Sequence, residues 1–171
     1  MKKNKNDIRG NIEFKEVQQM PGGILWIMTG IMFLVVIGLA VGAAAGDKKS
    51  KNDILLALAV VLPIHAIIIY IMNIVRFETI VTGEEIYYRW RPFFRKFSVI
   101  SRGEIATVKV RNSPFLQYGY KRIPGWGTVH NLSRGKGLQF VLKSGKKYFI
   151  GSQKINGFQR AVEKLAGISM R

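Results

Sequence analysis

Two histidines, His65 and His130, are the first side chains to weigh for chemistry, because the chain of 171 residues contains no cysteine. Without Cys there is no thiolate nucleophile, no disulfide and no Cys-based zinc or iron–sulfur site. His65 lies in a long apolar run and His130 in a polar, glycine-rich stretch, so the two cannot share a metal. A hydrolytic triad built on His130 needs a serine and a carboxylate beside it. Beyond residue 75 the chain has five glutamates (Glu78, Glu84, Glu85, Glu104, Glu163) and no aspartate, and none of these acids falls in residues 113–136 around the histidine. Neither Gly125-Trp126-Gly127 nor Gly135-Lys136-Gly137 precedes a helix with the lysine and hydroxyl spacing of a phosphate loop. The residue types therefore predict no catalytic group, no metal and no cofactor, and a protein that is not an enzyme.

Binding is the chemistry that remains. There are 27 Lys and Arg against 10 Asp and Glu, a formal charge of +17. Arg89, Arg91, Arg95 and Lys96 follow closely on the second apolar run, and Lys109 and Arg111 fall on the outward face of a candidate strand. Anionic headgroups attract such cations by about 1 kcal/mol each near a bilayer surface; the same excess also serves simply to set topology as a solvated charge. Residues 118–136 add Tyr118, Tyr120, Lys121, Arg122, Trp126, His130, Asn131 and Arg134 among glycines. Aromatics beside cations can stack on single-stranded nucleic acid, dip into a headgroup layer or meet a partner, or pack the open end of a sheet. A basic nucleic-acid-binding domain does not account for a positive mean hydropathy with 48% apolar residues. The partners expected are a membrane, crossed twice, with anionic lipid or a membrane protein at its surface, and no nucleic acid.

The apolar residues are segregated. Residues 24–45 and 54–75 are each 22 long without Asp, Glu, Lys or Arg, and a hydrocarbon core of about 30 Å needs roughly 20 helical residues. The eight-residue connection 46–53 makes them an antiparallel hairpin. The first run is longer than the apolar segment of a signal peptide and starts late, so it is expected to be retained. The leader, residues 1–23, carries Lys2, Lys3, Lys5, Arg9 and Lys15, the connection Lys48, Lys49 and Lys51, and residues 76–171 carry 19 basic residues. The positive-inside rule then places both termini in the cytoplasm of a multi-pass cell-membrane protein. His65 sits two residues after Pro63, which should kink the helix, and Thr29 or Asn73 can satisfy its ring across the hairpin. The alternative is a subunit of an oligomeric transport or channel assembly, with His65, Asn73 and Pro63 at a helix interface.

Residues 76–171 hold a formal +14 and have a period of two. Phe77, Thr79 and Val81 alternate with Glu78, Ile80 and Thr82, Gly83-Glu84 turns the chain, and Ile86, Tyr88 and Trp90 alternate with Tyr87, Arg89 and Arg91. Residues 105–112 repeat the pattern with Ala106, Val108 and Val110 inward, and residues 138–143 and 146–151 form a hairpin about Ser144-Gly145. The period then turns helical: Asn156 caps, Ile155, Phe158, Val162 and Leu165 make one stripe, and Gly167 closes. The fold expected is a membrane α-helical hairpin plus an α+β domain, a mostly antiparallel sheet of six or seven strands capped by one C-terminal helix. The irregular stretch 113–136 either hides a short strand or is where the domain does its work.

The hairpin FETIVTGEEIYYRWRPF, the stretch EIATVKVRN, the run YGYKRIPGWGTVHNLSRGKGLQFVLKSGKKYFIGSQK and the closing helix together resemble the pleckstrin-homology-like domains of small bacterial membrane proteins, in which two transmembrane helices precede one such domain. The resemblance implies a PH-like β-sheet or barrel, a fold rather than an activity; the outward-facing arginines and the aromatic-rich stretch 118–136 are what point to an interaction module for a protein partner or anionic lipid. Phosphoinositide-binding members of the wider superfamily carry basic residues around the first hairpin turn, whereas Thr82-Gly83-Glu84-Glu85 is acidic here.

Overall fold

In the computed structural model the described residues, 8–46, 48–113, 118–132 and 135–169, divide into a helical unit of residues 20–74 and a second unit formed by residues 8–19 with 75–169. The helical unit is α1 (Gly22–Ala45) and α2 (Lys48–Ile74). Gly46 ends α1, its N–H donating to the Gly42 carbonyl at 3.0 Å. The expected eight-residue connection is much shorter, because α2 starts at Lys48: residues 48–53 contain neither Gly nor Pro, and lysine is a good helix former. Asp47 lies outside the described residues. Pro63 is accommodated inside α2. Residues 22–45 and 51–74, 24 each, are long and apolar enough to cross a membrane, and the protein buries none of the apolar stretch of either helix. A helix that is apolar all round and unburied by protein is unlike a core helix, which presents one stripe.

The other unit holds nine strands in two sheets. β1 (Ile12–Gln19), β2 (Arg76–Thr82), β3 (Glu85–Arg91) and β4 (Ser98–Ser101) form an antiparallel meander in that order. β5 (Ile105–Asn112), β6 (Gly119–Ile123), β7 (Gly127–Asn131), β8 (Lys136–Leu142) and β9 (Lys147–Gly151) form the second sheet in the order β5-β8-β9-β7-β6. Every pairing is antiparallel except β7 with β9. The amphipathic helix α3 (Ile155–Ala166) packs on β1, β2 and β8, inserting Phe158, Val162 and Leu165. Phe158 stacks on Phe14 at 5.3 Å and lies 6.3 Å from Phe140. The sheets are tied by buried polar contacts, the Gln18 amide donating to the Gly151 carbonyl at 2.6 Å and Trp90 Nε1 to His130 Nδ1 at 2.9 Å.

Four sequence expectations are corrected here. The strand count among the described residues is nine, because the stretch 113–136 holds a hairpin, β6–β7, and the leader supplies β1. Residues 12–19 pair with β2 along Gln19↔Arg76 through Ile12↔Thr82, so they belong to the β unit rather than to a separate leader. Ala106 does not point inward: the register slips between Ile105 and Thr107, and the bulge turns Ala106 to the exposed side. Asn156 does not cap α3, which starts one residue earlier. No described side chain caps the helix; Glu16 of β1 instead braces the segment just before it, accepting from Gln153 N and Ser152 Oγ, both at 2.7 Å. Gly167 closes α3 in the left-handed conformation as expected, φ 68°.

Candidate functional site

The link from β3 to β4 is built outward from Arg89. Its Nη2 and Nε reach Glu78 Oε2 on the neighbouring strand at 2.7 and 2.8 Å, its Nη1 donates to the Arg95 carbonyl at 3.1 Å, and its guanidinium lies 4.0 Å over the Phe97 ring. Phe97 is buried against Tyr87, 5.9 Å away edge to face, in a small cluster with Ile80 on the back of the first sheet. Arg89 is therefore consumed in fastening the loop, and the residues between its anchors are left outside. Phe93 and Phe94 are 60% and 57% exposed, flanked by exposed Arg91, Arg95 and Lys96.

The β6–β7 hairpin faces this loop across a cleft of about 670 Å³. Tyr120 pairs with His130 and Arg122 with Thr128, so these four share one face of the hairpin, and all of them line the cleft. Lys121 alternates to the other face, opposite Val129. Gly127 opens β7 at φ 81° with its Cα against the Lys147 backbone, where a Cβ would collide. From β3 come Tyr88 and Trp90, from β9 Tyr148, and from the loop Phe93, Phe94, Arg95 and Lys96. No carboxylate among the described residues lines the cleft.

His130 lines it as a buried side chain, 5% exposed. The Phe77 ring stacks on it at 5.7 Å and 12°, the Tyr88 edge meets it at 4.8 Å and Tyr120 lies 5.2 Å away. An indole N–H can only donate, so the bond from Trp90 Nε1 makes Nδ1 the lone-pair nitrogen and puts the proton on Nε2. That Nε2 has no hydrogen-bond partner. Burial lowers the His130 pKa to about 4, so the ring is neutral. Burial, with Tyr148 nearby, pushes the Tyr88 phenol well above its ordinary value.

The remaining basic candidates lie apart. On the second sheet, Arg111 stacks 3.8 Å over Trp126 and donates to Gln139 Oε1 at 2.8 Å, and Gln139 Nε2 donates to the Trp126 carbonyl at 3.1 Å. Trp126 also meets Phe149 edge to face at 5.4 Å. Lys109 is exposed and lines a shallow depression with Arg111 and Gln139. Of the nine basic and aromatic candidates, the cleft gathers Arg89, Arg95, Lys96 and Arg122, with Arg91 beside its loop. Lys109, Arg111 and Trp126 form a second patch, and Lys121 stands alone. Arg134 lies outside the described residues. Sequence reasoning named His130 but missed Tyr88, Trp90, Thr128 and Tyr148 as its surroundings. The available signal was the alternation Tyr120-x-Arg122 and Thr128-x-His130 about Pro124-Gly125-Trp126, a hairpin pattern.

Acidic side chains are mostly engaged in the fold. Glu78 holds Arg89, with Lys15 at 3.9 Å. Glu85 accepts from Tyr87 and Ser101, Glu104 closes a capping box with Ser101, and Glu13 pairs with Lys164. In the helical unit, Asn73 donates to its own helix at the Ile69 carbonyl, 2.8 Å, and His65 Nε2 has no hydrogen-bond partner. No protein-family model matches the chain, and no curated protein sequence matches it.

Proposed function

We propose that the chain is a non-enzymatic, membrane-anchored interaction module. α1 and α2 cross the bilayer as a hairpin, and the β unit is a pleckstrin-homology-like domain that docks on the anionic cytoplasmic leaflet through its β3–β4 loop. The observation that carries this reading is the loop tip, two adjacent exposed phenylalanines between Arg91 and Arg95-Lys96. Apolar side chains that enter the headgroup layer and cations that meet anionic lipid reinforce each other. The domain is tethered beside such a surface already, so docking needs far less affinity than free association would.

Several observations support the membrane anchor. A helix of 24 residues is about 36 Å long, enough for a hydrocarbon core of about 30 Å. Large side chains such as Trp26, Phe33, Leu34 and Leu56 are each more than 60% exposed along the helices, which water would penalise and lipid would not. Gln19 and Arg76, at the two ends of the hairpin, are paired in one sheet, so both ends enter the same domain, as an even number of crossings requires. The excess of Lys and Arg on that side supports a cytoplasmic location. The PH-like reading is supported by the β unit closed by a single C-terminal amphipathic helix.

The cysteine-free chain allows a direct test. A spin label on the Phe94→Cys variant, in the full chain in nanodiscs, should become accessible to oxygen and shielded from a water-soluble nickel chelate when the lipid is anionic, and should revert at high salt. A label on Lys109→Cys should stay in water. Water-like accessibility at position 94 in anionic nanodiscs would overturn the docking proposal.

A further inference from the structure

The cleft beside the loop has features that docking on a membrane does not use. We infer that it is a binding site for a small water-soluble organic anion with a planar ring, the anionic group reaching the Nε2–H of His130 and the ring lying among Tyr88, Trp90 and Tyr120. Its cavity of about 670 Å³ falls within the roughly 300–1,000 Å³ of small-molecule sites. Arg95, Lys96 and Arg122 line it, no acid among the described residues does, and Arg89 is neutralised by Glu78. An anion entering there meets uncompensated positive charge.

The second, independent observation is the His130 ring. A buried N–H without a partner is destabilising, and none of the described residues accepts from it. A carboxylate or phosphate oxygen would satisfy it. Phe77, Tyr88 and Trp90 are buried around it, whereas Tyr120 is 64% exposed; Nε2 itself is closed off from solvent, so an entering anion must displace the Tyr120 ring. Flat rings gain by stacking or edge contact on such walls, which selects a planar body over a puckered one. The inference goes beyond the docking reading: the loop lends Phe93, Phe94, Arg95 and Lys96 to both, but His130, Tyr88, Trp90, Tyr120 and Arg122 lie on β3, β6 and β7, and the binding is read without anionic lipid, so a chain that fails to dock can still bind.

The two histidines make the experiment clean. The full chain, carrying ¹⁵N only in histidine, is titrated in neutral detergent with phenyl phosphate, cyclohexyl phosphate and inorganic phosphate. Phenyl phosphate should shift the His130 ring nitrogens saturably and leave His65 unmoved, and should bind more tightly than either of the others. Arg122→Ala, on an exposed strand position, should weaken it about tenfold, as loss of one charge-assisted contact does, and Lys109→Ala should not change it. No saturable shift at His130 up to millimolar probe overturns the site. Equal binding of phenyl and cyclohexyl or inorganic phosphate overturns the ring preference, and equal weakening by Arg122→Ala and Lys109→Ala reduces the effect to net charge and overturns the inference.

Discussion

The molecule carries two clusters of cations and aromatic rings whose local compositions are alike and whose states are opposite. On the second sheet, Arg111 lies on Trp126, bonds Gln139, and Gln139 returns to the Trp126 backbone, so each of the three is satisfied by the others. At the β3–β4 loop and its cleft, Arg95, Lys96 and Arg122 stand beside exposed rings, and a buried N–H has no acceptor. The first cluster is closed on itself; the second leaves a buried N–H unmatched. What separates them is the supply of acceptors: Gln139 is within reach of Arg111, while Glu78, the acid that Arg89 reaches, is already engaged by Arg89 and Lys15. Charge and aromatic content do not distinguish a binding surface from a packed one. The hydrogen-bond partners do.

The contrast breaks first in acid. His130 titrates at about 4 in the folded chain against 6.5 for an unperturbed ring, so the unfolded chain takes up a proton that the folded one refuses. Stability from the neutral ring is therefore complete above pH 6.5 and is lost as pH falls towards 4, in all on the order of 3 kcal/mol at about 1.4 kcal/mol per tenfold change. The melting midpoint of the full chain, followed by near-ultraviolet dichroism in detergent, should fall between neutral pH and pH about 4.5 by roughly ten degrees more than that of His130→Gln. Parallel curves for the two proteins would show that the ring is not held neutral by the fold. Next in size is Trp126→Ala, which removes the Phe149 contact and the platform under Arg111. It should cost about 2 kcal/mol of stability yet leave both the phenyl phosphate titration and the Phe94→Cys accessibility where they were. A lost titration with an unchanged melting midpoint would reverse the assignment of the two clusters.

Much of the fold was legible because its signals are local. Two uncharged runs, the alternation through Phe77 to Trp90 and the stripe Phe158, Val162, Leu165 each depend on one element and one face. What escaped depends on partners distant in sequence. β1 looked like a charged leader because two of its inward residues, Glu16 and Gln18, are polar, and their burial makes sense only once Ser152, Gln153 and Gly151 arrive from more than 130 positions away. The same holds for the basic residues. Arg89 and Arg95 look equivalent as letters, but strand pairing puts Glu78 opposite Arg89 and nothing acidic opposite Arg95. His130 was visible as a candidate, and its unpartnered nitrogen was not, since that follows from Trp90 donating across the two sheets.

The smallest effect is the most discriminating between the clusters, because it compares two lysines of equal charge. Lys96 sits beside the exposed phenylalanines, and Lys109 is exposed on the second sheet. If the net positive charge of the domain alone draws it to anionic lipid, either lysine contributes equally, and Lys96→Ala and Lys109→Ala reduce docking alike. If the loop tip is the contact, only Lys96 comes within a Debye length, about 8 Å at physiological salt, of the headgroups. Removing it should then lower the ratio of docked to undocked Phe94→Cys label by about fivefold, the equivalent of about 1 kcal/mol per surface cation, while Lys109→Ala leaves it unchanged. Both substitutions remove an exposed side chain, so neither should shift the melting midpoint. A difference in docking between them reports geometry rather than stability.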